Sequence, residues 1–308
     1  MRSGNRKFGQ VAARAAMALF LMSGAAAAAH AQNLGWDGNT GVLGTPLAYT
    51  APSPSKGLGL PVVGYHFLDG GDVLGDFYNA SVTVGAFSRA EFGYTRSLHS
   101  TSGDSTLGPL WDNDGFNIFH GKVNIVPENL GGKAWVPAVS TGFVARTQVK
   151  NVVGTLLNPA DPENRTNADF YAVATKTVTQ TGIPLILSGG VRGTNAQIWG
   201  LGGNAPEWEA LAFGVVGFAL PLPNKGSVVL AVELAQQPKH PEGLEYANVP
   251  TTVTYAARIT PPGAGKLNID FGMAQIAGKV FGGVPGVPGT EIDLKARTRF
   301  GMQMSYGF

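Results

Sequence analysis

Beyond residue 31, side chains able to act as general bases or soft metal ligands are sparse: the histidines are His66, His99, His120 and His240, and there is no cysteine. That excludes a thiolate nucleophile, a Cys-type zinc site and a disulfide framework. The sequence holds no H-E-x-x-H, G-x-S-x-G or G-x-x-x-x-G-K-[ST] pattern. A serine activated by His99 or His120 would need an orienting acid, and none stands at a diagnostic spacing. Asp112-Asn113-Asp114-Gly115 begins like a calcium loop without the glutamate that closes one, and it reads as a solvated turn. No catalytic residue, metal or cofactor is expected.

What remains is a set of cations. Lys122, Arg146, Lys176, Arg192, Arg258, Lys266, Lys295, Arg297 and Arg299 fall on polar rows of segments whose alternate rows are apolar, together with Glu91, Glu233 and Asp270. Nine basic residues against three acidic ones around an enclosed space would favour anions or acidic sugars. Paired across that space, the same residues would simply fill it.

The elements that must position them follow from composition and period. Of 308 residues 44 are Gly and 20 Pro, 44% are hydrophobic and 14% charged, too apolar for disorder and without a collagen period. Arg2, Arg6, Lys7 and Arg14, the apolar run Ala15 to Ala29 and the Ala29-His30-Ala31 site predict a secretory signal over 1–31. Its removal turns a formal charge of +2 into −2, so basicity gives no reason to expect nucleic acid.

The mature chain alternates. Leu294, Ala296, Phe300, Met302, Met304, Tyr306 and Phe308 interleave with Asp293, Lys295, Arg297, Arg299, Gln303 and Ser305, which predicts a single strand over 293–308, longer than soluble strands usually run. Twelve such segments are predicted, near 57–67, 76–86, 88–98, 115–125, 134–149, 168–179, 183–193, 207–220, 226–236, 251–260, 265–275 and 293–308, with connections that alternate short and long. The pattern implies an all-β chain, a single closed antiparallel transmembrane barrel over 57–308 in the outer membrane, with short periplasmic turns, longer external loops and both termini periplasmic. Lipid and lipopolysaccharide are then its surroundings. Pro61, Pro137 and Pro184 fall at strand starts, where a barrel tolerates them. Residues 32–56, Gly- and Pro-rich, form a periplasmic segment or a plug.

The row Phe300, Met302, Met304, Tyr306 and Phe308 resembles the C-terminal signature of Gram-negative outer-membrane proteins, which implies recognition by the barrel-assembly machinery. A second resemblance is to the YjbH-type proteins associated with exopolysaccharide production. It rests on Thr40-Gly41-Val42-Leu43-Gly44-Thr45-Pro46-Leu47-Ala48, on His120 to Val123, on Val136 to Gly142 and on Tyr171 to Lys176. Leu47 stands where that family has Thr, and the chain has room for one barrel where longer members carry more. The expected function is a channel or export pore for small anionic or saccharide solutes. The alternatives are a non-conducting accessory in exopolysaccharide secretion, as the resemblance implies, and thirdly an outer-membrane lipid hydrolase using His99 or His120.

Overall fold

A computed structural model describes residues 33–70, 75–100, 115–147, 166–196, 198–201, 204–238, 247–248, 251–264, 266–276, 279–281, 291–293 and 297–308. Twelve strands close a barrel: β1 (Val62–Asp69), β2 (Asp76–Ala86), β3 (Ala90–Ser100), β4 (Phe116–Val126), β5 (Ala138–Thr147), β6 (Asn167–Val178), β7 (Leu185–Ala196), β8 (Asn204–Pro221), β9 (Ser227–Ala235), β11 (Thr252–Thr260), β12 (Leu267–Ile276) and β15 (Arg297–Gly307). Each pairs antiparallel with its neighbours, and β1 closes on β15 with Val62 opposite Gly307. Outside the wall, β10 (Ala247–Asn248), β13 (Lys279–Phe281) and β14 (Glu291–Asp293) make a small separate sheet.

The burial pattern is inverted relative to a soluble protein. On β9, Leu230 and Leu234 are 47% and 49% exposed, while Val229 and Glu233 between and beside them are buried. The same period-2 row puts Phe92, Phe119, Phe170, Phe271 and Met273 outside. An apolar belt of this extent is stable only against lipid. Within the described strands the outward rows carry two Lys or Arg residues: Lys176, near the end of β6 where the cost of a charge falls, and Arg96, which donates to Asn117 at 3.0 Å. The chain is a membrane-spanning barrel of the outer-membrane type.

Pro61, Pro137 and Pro184 directly precede β1, β5 and β7, so none removes a ladder donor from mid-wall. The expected strand over 293–308 is instead two pieces: Glu291–Asp293 pairs with β13, and the barrel takes up the chain at Arg297. Alternation alone could not see that the pairing partner changes. The strand expected to start at 207 starts at Asn204, and Pro206 is accommodated by a register shift opposite Thr194 and Ala196.

Two tight turns are left-handed without glycine, Phe87-Ser88 (both φ 55) and Asn224-Lys225 (φ 52 and 62). Both-positive φ is the hairpin geometry that favours Asn-Gly. Lys225→Gly is therefore expected to stabilise the barrel by about 1 kcal/mol, read as a higher urea midpoint, because it removes the left-handed penalty of an L residue.

Candidate functional site: the lumen and the segment inside it

Residues 33–51 run inside the barrel. Bridges Leu34 to Thr40 and Gly41 to Pro46 fold the segment into two compact turns, and Leu34, Leu47 and Ala48 are fully buried. Asn33 lies beside Ser305 near the end of β15, and Ser53 bonds Ser88 in the β2–β3 turn. Both ends of the segment thus leave by the short-turn end. Close approach needs glycine in the wall: a Cβ on Gly85 would stand 2.1 Å from the Ala51 carbonyl oxygen.

A backbone folded into a lumen must have its polar groups satisfied there, and the inward row supplies partners from β2 to β6, β9, β11 and β15. Thr83 and Asn79 donate to the Gly38 and Trp36 carbonyls at 2.6 and 2.7 Å. Ser140 and Asn124 donate to the Ala48 carbonyl at 2.6 and 2.9 Å, while the Ala48 N–H donates to Thr175 Oγ1 at 2.9 Å. Tyr49 donates to Glu128 in the β4–β5 connection at 3.0 Å. Burial, with the Glu128 carboxylate adding to it, pushes the Tyr49 phenol up, so it stays a proton donor.

Charged residues form four posts. Glu91 and Lys122 pair at 2.9 Å with both side chains fully buried; Glu91 accepts the N–H groups of Thr40 (2.9 Å) and Ala51 (2.7 Å), and Lys122 donates to the carbonyls of Thr40 (2.8 Å) and Leu47 (2.9 Å). Arg146 grips Asp37 of the segment with two nitrogens, at 3.1 and 2.7 Å, and reaches Asp169 at 2.9 Å. Arg258 pairs with Asp270 at 3.0 Å and donates to the Gly41 carbonyl at 3.1 Å, beside Gln303, which donates to Val42. Glu233 accepts the N–H groups of Leu43 (2.8 Å), Gly44 (3.0 Å) and Thr45 (3.4 Å) and the Thr45 hydroxyl (2.9 Å).

Of the residues expected to line the lumen, Lys122, Arg146, Arg192, Arg258, Arg299, Glu91, Glu233 and Asp270 are buried on inward rows. Lys176 is not: it shares the outward row of β6 with Phe170 and Ala172, and its ammonium reaches Glu128 at 2.9 Å at the short-turn rim. Lys266 is exposed in the turn before β12. Lys295 lies outside the described residues, and Arg297 is fixed only by its register opposite Ile276. Sequence reasoning missed Asp169 and Asp37, the first because β6 has Tyr171 and Val173 on its inward row and so hides which row is which. Five buried cations therefore meet five buried carboxylates among the described residues, and the expected excess of positive charge is absent from them. The row Phe300, Met302, Met304, Tyr306 and Phe308 faces outward.

His66, His99 and His120 all lie on inward rows, turned from lipid. His66 bridges Ser81 (3.3 Å) and Gln303 (2.9 Å), and His120 meets Thr83 at 3.1 Å. The Ser81–His66 pair ends on an amide, which cannot offset an imidazolium as a carboxylate does. His240 and residues 112–114 fall outside the described residues, and within them no three His, Cys, Asp or Glu side chains group to hold a metal. Toward the long-loop end the lumen is covered by Ile198, Trp199 and Leu201, all buried.

No family model matches the chain and no curated protein is similar to it, so the YjbH-type resemblance finds no support there. Among solved structures, the KdgM porin aligns over 80% of this chain and 99% of its own at 8% identity and a TM-score of 0.44. An outer-membrane channel from Pseudomonas putida F1 aligns over 85% and 98% at 11% identity and 0.44. The NanC porin aligns over 80% and 100% at 9% identity and 0.43. At this level of identity and superposition, nothing about solute or mechanism passes from them to this chain.

Proposed function

We propose that the chain is an outer-membrane passage for saccharide solutes, held closed by its own residues 33–51. The observation that carries this is the interleaving of donors and acceptors on the inward wall. Apart from the Arg146–Asp37 ion pair, the partners that the wall gives the segment among the described residues are hydrogen-bond partners that a hydroxylated chain could replace, and Lys122, Arg146 and Arg258 are each paired with a carboxylate of the wall. Such a wall suits polyhydroxylated solutes better than a field of one sign would. The short-turn end, where both ends of the segment leave, is periplasmic in this reading, and the outward terminal row ending at Phe308 serves barrel assembly.

The test is single-channel conductance of residues 32–308, refolded and heat-modifiable, against the same protein lacking 33–51. The full chain is expected to be closed for most of the record and the deletion to conduct in discrete steps. Reversal potential in a salt gradient then reads whether Arg297, Arg299 and Lys295 tilt the opened passage toward anions.

One observation favours the accessory reading as second. The four stretches that resemble the YjbH-type proteins meet in space: Thr40 and Leu47 on Lys122, and Ala48 between Ser140 and Thr175. A folded deletion variant that stays silent would leave that reading as the better account.

A further inference from the structure

Asp37 is the only charged residue of the closing segment, and the wall receives it with an arginine fork. Arg146 Nε and Nη2 hold its two carboxylate oxygens at 3.1 and 2.7 Å, the planar two-point match that a lysine cannot make. The fork is itself held in place from β6, where Asp169 accepts from Nη2 at 2.9 Å and Asn167 from Nη1 at 3.3 Å. The covering turn lies directly on it: a Cβ on Gly200 (φ 85) would stand 2.3 Å from Arg146 Cδ.

The backbone on either side of Asp37 meets neutral donors. Asn79 donates to the Trp36 carbonyl at 2.7 Å, Thr95 to the Asp37 carbonyl at 3.0 Å and Thr83 to the Gly38 carbonyl at 2.6 Å. A carboxylate on a fork, with neutral oxygens on hydroxyl and amide donors beside it, is what a sugar acid would present to this wall. The Asp37 carbonyl oxygen is as many bonds from its carboxylate carbon as a ring hydroxyl of a hexuronic acid is from its own.

Withdrawal of the segment changes the charge balance at this one place. Among the described residues Lys122 keeps Glu91 and Arg258 keeps Asp270, whereas Arg146 loses one of its two carboxylates. Arg192, whose charge also acts on Asp37 and Asp169, is then left to share Asp169 with it. We propose that Arg146 is the carboxylate subsite for a hexuronic acid unit, and that Asp37 occupies it in the closed state as a competitor built into the chain. The solute carboxylate takes the fork, and its hydroxyl oxygens accept from Asn79, Thr83 and Thr95. Binding requires the Trp36–Gly38 turn to withdraw, so an acidic sugar favours the open lumen through its affinity for the vacated site. This rests on reading the lumen as a saccharide passage, which it deepens by naming the substrate class.

The test is equilibrium dialysis of residues 32–308, refolded and heat-modifiable, against labelled D-glucuronate, D-glucose and acetate, for the parent and for Asp37→Ala. Asp37→Ala is expected to bind D-glucuronate saturably and about tenfold more tightly than the parent, in which Asp37 competes. D-Glucose and acetate, each lacking half of the pattern, are expected to bind about tenfold more weakly than D-glucuronate. Adding Arg146→Lys, which keeps the charge and loses the fork, is expected to cost about tenfold in D-glucuronate affinity. No saturable D-glucuronate binding by a heat-modifiable Asp37→Ala barrel overturns the subsite, as does binding that Arg146→Lys leaves unchanged. D-Glucose held as tightly overturns the carboxylate preference, and acetate held as tightly overturns the sugar. If the 33–51 deletion conducts while Asp37→Ala takes up no D-glucuronate, the subsite falls and the passage stands. If the deletion is silent while Asp37→Ala binds D-glucuronate through Arg146, the passage falls and the binding site stands.

Discussion

Lys122→Met is expected to lower the unfolding free energy of the refolded barrel by about 3–5 kcal/mol in a urea titration read by heat modifiability. The side chain is fully buried and stands 2.9 Å from an equally buried Glu91. Methionine keeps the unbranched stem, so little packing is lost. What changes is that Glu91 becomes a buried carboxylate with no cation beside it, and the carbonyls of Thr40 and Leu47 lose their donor. The loss is dominated by the stranded charge, since replacing both members of a buried pair is often close to neutral. The double variant Lys122→Met with Glu91→Gln is accordingly expected to recover most of the loss, because no charge is stranded and Gln still offers its one oxygen to either the Thr40 or the Ala51 N–H, which Glu91 holds on separate oxygens. A double variant as unstable as the single would instead assign the effect to the two orphaned carbonyls. The cycle separates the two because the residues share one network.

How far the sequence carried the architecture follows from what a period of 2 records. The outward row has one solvent, lipid, and so must be apolar at nearly every step: Leu230, Val232 and Leu234 on β9 or Met302, Met304 and Tyr306 on β15 are readable without knowing any partner. The inward row answers to many partners at once. On β6 it holds Asp169, Tyr171, Val173 and Thr175 because Arg146, the aromatic cluster around Trp36 and the Ala48 N–H each demand something different. A row that mixes charge and aromatic carbon gives no hydropathy signal, which is why Lys176 was expected inside and Asp169 was not noticed.

The segment inside the lumen was harder still. Its residues show neither a period of 2 nor one of 3.6, because its turns are shaped by the wall rather than by a sheet or a helix of their own. Its closest partners are remote in sequence: Thr40 meets Glu91 and Lys122, and Leu43 meets Glu233, 190 positions away. The charges left two readings open, a positive lumen and one filled by its own pairs, and no count on the strands could include Asp37, which arrives from the segment to complete the Arg146 post. One signal was present: Gly41, Gly44 and Pro46 mark tight turns in a stretch where an extended tether would have no use for them.

Glu233→Ala should act on the segment alone, and that makes it the sharpest separation of closing from folding. The hydrogen bonds Glu233 accepts come from Leu43, Gly44 and Thr45, and among the described residues no wall cation forms an ion pair with it. Hydrogen bonds to a charged group contribute about 1.5–3 kcal/mol each. The two shortest backbone contacts together bring the loss of seating to roughly 3–6 kcal/mol, a shift of about a hundredfold to ten-thousandfold in the closed-to-open ratio. Conductance should rise accordingly. A protease added to the folded barrel should cut within residues 33–51 far faster than in the parent. The wall itself should be as stable as before or slightly more so, since alanine removes a buried carboxylate that depends on the segment for its partners. Lys122→Met, by contrast, weakens wall and seating together. If Glu233→Ala instead lowered the urea midpoint of a barrel already lacking residues 33–51, Glu233 would be serving the wall, and the division of the inward row into wall pairs and segment posts would be wrong.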